Sequence, residues 1–164
     1  MNAPVRAYVG LGANLGDAAA SVEHAIARLA GEEGVALLAR SRLYRTPAWG
    51  VTDQPDFINA VACVDATLPA KDLLSLLLDI ERDAGRDRAT ERRWGPRALD
   101  LDLLLYGDRR IDEPGLRVPH PHLHERAFVL VPLAEIAPGL VLDGHGPIAA
   151  LLDRMATGDI EALG

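Results

Sequence analysis

The sequence predicts an α+β domain of ferredoxin-like arrangement, an antiparallel sheet with helices packed on it. The first observation behind this is the order of the apolar runs: strand, helix, strand, strand, helix, strand. The second is that both helical runs carry a start residue, and the second run a stop residue as well. The third is size. The chain has 164 residues, 49% of them hydrophobic, which suits a single domain spanning residues 1–164 around one core.

The elements follow in order. Ala7 to Leu11 reads as a strand that ends in a glycine-rich turn, GLGANLG. Asp17 to Ala30 reads as a helix with Val22, Ala25, Ile26 and Leu29 on one face, capped by Asn14 or Asp17. Val35 to Tyr44 and Phe57 to Ala66 read as two strands, separated by TPAWGVTDQPD, a loop too long for a tight hairpin. Pro69 opens a second helix running to about Ala84, with Leu73, Leu74, Leu77 and Ile80 facing the core and Gly85 placed to stop it. The polar, arginine-rich stretch from Arg86 to Pro96 reads as a mobile loop, and Leu99 to Tyr106 as a fourth strand. A short helix is expected at Ala127 to Ile136, then irregular chain and a small helix from about Ile148.

Composition narrows the function classes. A net charge of -7 argues against general nucleic-acid binding, which depends on neutralising phosphates. The single cysteine, Cys63, excludes an internal disulfide. The first residues lack a signal-peptide pattern and no apolar run is long enough to span a membrane. A cytoplasmic, soluble protein, with no membrane partner, is the expectation.

The chemistry concentrates in RWGPRALDLDLL, Arg93 to Leu104. On a strand, Asp100 and Asp102 share one face, with Leu99, Leu101, Leu103 and Leu105 on the other. Adjacent carboxylates repel unless a counter-charge sits between them, and a magnesium ion held by one or two carboxylates is one such solution. The bland alternative is an edge strand whose aspartates face water. Arg82, Arg86, Arg88, Arg92, Arg93 and Arg97 crowd the preceding stretch. Planar guanidinium forks suit phosphate, although Asp83, Asp87 and Glu91 interleave and would also make an ordinary salt-bridged helix end. Carboxylates beside arginines are the equipment of phosphoryl transfer.

Glu81 lies on or beside the apolar stripe of its helix, where a carboxylate needs a partner: an arginine, or a role in holding a nucleotide. His120, His122 and His124 alternate in VPHPHLHERAF and raise a zinc reading, but no second ligand cluster exists. A phosphate contact by one histidine, with Arg126 beside it, fits better. GLGANLG departs from the dinucleotide fingerprint, and no Walker sequence occurs. In DQPDFINAV, Phe57 and Asn59 share a face. A flat heteroaromatic ligand wants that combination, an aromatic to stack on and an amide to read its edge, although Phe57 also suits an ordinary core.

Four ordered motifs, YVGLGANLGD, SRLYRTPAWG with DQPDFINAV, RWGPRALDLDLLLYG and VPHPHLHERAFVLVPLAEIAP, cover nearly the whole chain. Together they resemble the 6-hydroxymethyl-7,8-dihydropterin pyrophosphokinase family of folate biosynthesis. The resemblance implies ATP and two magnesium ions, with the acceptor hydroxyl attacking the β-phosphorus and AMP leaving. It implies that Asp100 and Asp102 bind magnesium, and that Phe57 and Phe128 sandwich the pterin. Asn59 would bond the pterin edge, and Thr46 and Pro47 would line its pocket. Glu81, Arg88, Trp94, Arg97, His120 and Arg126 match the nucleotide- and phosphate-contacting set. Arg93 and Arg97 match arginines important to the chemical step, and Asp100 and Asp102 complete the catalytic group. A monomer is expected.

Some positions depart from the family's pattern. Ala48 and Trp49 stand where proline and a smaller aliphatic residue are more usual, Phe57 where some relatives have tyrosine, and Pro121 where some members have tyrosine. The arginine loop is about one residue longer than in some relatives, which leaves the choice between Arg92 and Arg93 open. Two rival classes are a ferredoxin-like binding module and a magnesium-dependent transferase with another acceptor. The first gives no reason for carboxylates beside arginines.

Overall fold

The computed structural model describes residues 3–47, 54–85 and 98–163. β1 (Val5–Ala13) and β4 (Phe57–Ala66) are the central strands, paired antiparallel from Val5 opposite Ala66 to Ala13 opposite Ile58. β5 (Asp100–Tyr106) lies outside β1. On the other side of β4 sit β2 (Val35–Arg40) and β3 (Leu43–Thr46), end to end. The order β5, β1, β4, then β2 and β3, with every pair antiparallel, is that of the expected ferredoxin-like arrangement.

α1 (Ala18–Ala30) and α2 (Ala70–Asp83) cover one face. Val22, Ala25, Ile26 and Leu29 of α1 and Leu73, Leu77 and Ile80 of α2 are buried against Ala7, Val9 and Leu11 of β1 and Ile58, Ala60, Ala62 and Val64 of β4. Asp17, not Asn14, caps α1, its carboxylate accepting the Ala20 N–H at 3.1 Å. Gly85 adopts φ +93° just beyond α2, the left-handed stop expected of it. Arg28 of α1 and Asp83 of α2 form an ion pair across the layer.

Two features differ from the expected elements. The strand expected over Val35 to Tyr44 is two strands, broken at Ser41, whose N–H bonds the Val61 carbonyl at 2.9 Å while its hydroxyl accepts the Val61 N–H at 3.0 Å. That side chain replaces a ladder rung, and the chain resumes as β3. Leu105 does not share the face of Leu99, Leu101 and Leu103. A β-bulge shifts the register between Tyr8 and Val9, leaving Leu104 as the extra residue. Leu99, Leu101 and Leu103 pack with α1 and α2, whereas Leu104 and Leu105 join a second cluster.

That second cluster exists because the other face of the sheet is also covered. α3 (Ala127–Ile136) and α4 (Ile148–Asp153) bring Val129, Leu130, Leu133, Ile148 and Leu151 against Val61, Leu104 and Leu105. Glu135 of α3 accepts the Arg42 N–H at 3.0 Å and Arg42 Nε–H at 3.2 Å, tying the helix to the start of β3. Short elements complete the fold: β6 (Ile111–Glu113) with β7 (Leu116–Val118), a 3-10 turn at Leu123–Glu125, β8 (Val141–Leu142) with β9 (Gly146–Pro147), and β10 (Glu161–Leu163) along β3. None has an apolar period long enough to be read from sequence.

Candidate active site

Strand alternation assembles the site on the face opposite α1 and α2. Residues directly opposite in an antiparallel pair share a face. Gly12 of β1 lies opposite Asn59 on one side and Asp100 on the other, so Asn59, Gly12 and Asp100 form one row across three strands. The next row is Val61, Gly10 and Asp102. Thr46 and Phe57, opposite each other, continue the same face outward. Two interstrand spacings put the backbones of Asn59 and Asp100 about 10 Å apart, on either side of a floor without side chains.

The glycines were not singled out as functional from sequence, and one of them decides the geometry. A Cβ on Gly12 would stand 2.8 Å from Asn59 Oδ1, closer than any real Cβ contact. Asn59 is 7% exposed, and its Nδ2 donates to Thr46 Oγ1 at 2.9 Å. That bond fixes which way the amide points: Oδ1 lies over the bare Gly12 backbone. The signal available in sequence was the pair Gly10 and Gly12 at the same strand spacing as the aspartate pair.

Asp100 and Asp102 sit half-buried on this face with Leu99, Leu101 and Leu103 beneath, as the alternation required. Glu81, 1% exposed, accepts the Leu101 N–H at 2.7 Å with Oε2. Leu101 lies between the two aspartates on a sheet edge, so the buried carboxylate ties down the strand segment that carries them. Neither sequence reading of Glu81 named this backbone partner.

β5 is held on its outer side at a second point. The carbonyl of the bulge residue Leu104 accepts the His120 N–H at 2.9 Å, which docks the VPHPH segment beside the aspartates. Burial, the charge of Arg126 and His122 push the His120 imidazole down to about 4, against an opposing pull from Asp100. The ring is therefore neutral near pH 7. Its Nδ1 accepts the His122 N–H at 3.1 Å, so the proton sits on Nε2, which becomes a neutral donor. Arg126 lies with its guanidinium 5.8 Å from the Phe128 ring centre and precedes α3, linking the His120 side of the site to Phe128. Phe57 and Phe128 are both half-buried, Phe57 on the sheet face and Phe128 in the first turn of the helix that covers it. A cavity of about 420 Å³ opens beside His120, lined by Arg110, Arg117, Pro121, Leu123 and His145 among others.

The other histidines meet in pairs and not as a set of metal ligands. His122 pairs with Glu125 at 3.2 Å, and His124 stacks on His145 with ring centres 3.7 Å apart. Among the described residues no group of three histidine, cysteine or acidic side chains could hold a metal ion, so the zinc reading is set aside. Cys63 is buried, and burial pushes its thiol up, which disfavours the reactive thiolate. Pro47 is exposed beside Thr46. Arg86, Arg88, Arg92, Arg93, Trp94, Arg97, Ala48 and Trp49 lie outside the described residues, as does the expected mobile loop.

An antiparallel α+β sheet that presents paired carboxylates, an aromatic and a fixed amide on one face carries the residue types that phosphoryl transfer calls for. Residues 8–138 match the family model for 7,8-dihydro-6-hydroxymethylpterin-pyrophosphokinase, and the chain belongs to that family. The 2-amino-4-hydroxy-6-hydroxymethyldihydropteridine pyrophosphokinase of Methylorubrum extorquens is 51% identical over 85% of this chain and 87% of its own. That of Pseudomonas aeruginosa is 43% identical over 96% of both chains. The fold is similar to a crystal structure of Plasmodium falciparum HPPK-DHPS with pteroate, with a TM-score of 0.71 at 13% identity. This chain is 94% covered in that match and spans 43% of the longer one. Among the described residues no helix is long and apolar enough to cross a membrane.

Proposed function

We propose that this chain carries out its family's reaction at the face just described: pyrophosphate transfer from ATP to 6-hydroxymethyl-7,8-dihydropterin, with release of AMP, in folate biosynthesis. The observation that supports this reading of the site is the row Asn59, Gly12, Asp100, an amide and a carboxylate on either side of a bare glycine floor.

On the acceptor side, Phe57 and Phe128 stack on the two faces of the pterin. Asn59, with its amide orientation fixed by Thr46, reads the ring edge, and Thr46 and Pro47 close the pocket. On the nucleotide side, His120 donates from Nε2 to a phosphate or ribose oxygen without adding charge, and Arg126 adds the positive charge. The cavity beside His120 takes the rest of the nucleotide. Arg88, Trp94 and Arg97 are expected to contribute from the segment before β5, with Arg93 and Arg97 balancing charge in the transition state. Glu81 serves the nucleotide side by holding Leu101.

Two half-buried carboxylates on one strand face are a donor set that magnesium accepts, since it takes one or two carboxylates and completes its shell with water and phosphate oxygens. Asp100 and Asp102 would hold two such ions. Magnesium held by these carboxylates would supply positive charge against the phosphates and so offset the charge that develops in the transition state. The chain itself orients the acceptor hydroxyl in line with the β-phosphorus and keeps the nucleotide against the carboxylate edge. The nucleophile belongs to the substrate, so no protein nucleophile is required. The protein acts as a cytoplasmic monomer of one domain, without nucleic-acid or membrane partners.

Asp100→Ala and Asp102→Ala test this reading. Each is expected to lower AMP release by roughly a thousandfold, the several kcal/mol that metal stabilisation supplies, with an unchanged circular dichroism spectrum. Near-normal turnover in either folded variant would overturn the metal assignment.

A further inference from the structure

GLGANLG contains one buried polar side chain whose task is not explained by the turn it sits in. Asn14 is 2% exposed. It is not the helix cap, because Asp17 fills that role. Its Nδ2 donates instead to two groups some forty residues away, Gln54 Oε1 at 2.8 Å and the Pro55 carbonyl at 3.0 Å. A buried amide spending both donors on a loop is a specific fastening, since leaving either unmade costs more than a hydrogen bond contributes.

What that loop carries gives the fastening its meaning. Pro55 and Asp56 are exposed, and β4 begins at Phe57. The last rung between β1 and β4 pairs Ala13 with Ile58, so residues 54–56 lie beyond the ladder. The Asn14 bonds extend the attachment past that rung by side chain, to within two residues of Phe57. We propose that Asn14 is a positioning residue for the pterin. Through Gln54 and Pro55 it fixes the approach of Phe57 to the acceptor, and it serves neither the nucleotide side nor helix α1.

The inference rests on the assignment of Phe57 and Asn59 to the acceptor, and the test keeps the two apart. Steady-state KM for the pterin and for ATP is measured for Asn14→Ala, Gln54→Ala and Asn59→Ala, with thermal unfolding of each. Asn14→Ala and Gln54→Ala are expected to raise the pterin KM by about tenfold, the equivalent of one or two lost neutral hydrogen bonds. The ATP KM should stay within about twofold. A merely structural role would lower the melting temperature without this split. If Asn14→Ala does not fold, Gln54→Ala decides, because it leaves β1 intact. A pterin KM unchanged in folded Gln54→Ala, or raised equally with that for ATP, overturns the latch. A normal pterin KM in Asn59→Ala overturns the acceptor site itself, and the latch with it.

Discussion

The two faces of the sheet are built from the same strands and do opposite work. Toward α1 and α2, every described side chain of β1, β4 and β5 at the site end is apolar: Leu11, Ala13, Ile58, Ala60, Leu101 and Leu103. One residue over in each strand stand Gly10, Gly12, Asn59, Asp100 and Asp102. The period of two lets a core face and the proposed reactive face be written into alternate positions. Away from the site, the chemical face turns apolar again, where α3 and α4 cover Val61, Leu104 and Leu105. The end of that face around Gly12 carries Asn59 and Asp100 instead.

The largest expected effect tests the stabilising face. Leu77 is fully buried on α2, and Leu77→Ala should cost about 2–5 kcal/mol of unfolding free energy. Turnover per folded molecule should remain near normal. Denaturant unfolding and active-fraction kinetics measure both, and a fall in turnover comparable to that of Asp102→Ala would break the separation of the faces.

A smaller effect sharpens it from the other side. Gly12→Ala places a methyl group 2.8 Å from Asn59 Oδ1, and the amide must give way. Pterin affinity should fall by about tenfold, reflecting the loss of one well-placed hydrogen bond, with ATP affinity retained. Calorimetric titration of each ligand separates this from a general collapse, which would weaken both.

The smallest effect concerns acid. The His120 imidazole ionises at about 4 in the folded protein against an ordinary 6.5. Between those values the unfolded chain binds the proton and the folded one does not. The contribution of His120 to stability is therefore full above about pH 6.5 and is lost as pH falls toward 4. Urea midpoints across that window should drop with acidity, and His120→Gln should flatten the decline. An equally steep decline in His120→Gln would place the titrating group elsewhere.

How much of this could be read in advance follows from the range of the interactions. The helices, the central strands and the alternation of Asp100 and Asp102 against their leucines were legible, because periodicity is a local property of the chain. The break at Ser41 was not, because a hydroxyl standing in for a ladder rung depends on its cross-strand partner Val61. The placement of Leu105 failed for the same reason. A bulge is a mismatch between two strands, and the sequence of one does not contain it. The hairpin strands and β10 are only two or three residues long and carry no period.

By itself the sequence determined the element order, the apolar face of each helix, the aspartate pair and the aromatic and amide of DQPDFINAV. These depend on residue type at a spacing of two to four, which backbone geometry converts into a shared face. The tertiary structure alone decided which faces meet. It set Gly12 between Asn59 and Asp100, gave Glu81 the Leu101 N–H, turned Asn14 from a helix cap into a fastening on Gln54 and Pro55, and used the Leu104 bulge to seat His120. Each of these joins residues ten or more positions apart, and such contacts are fixed by strand register and packing, which no local pattern specifies.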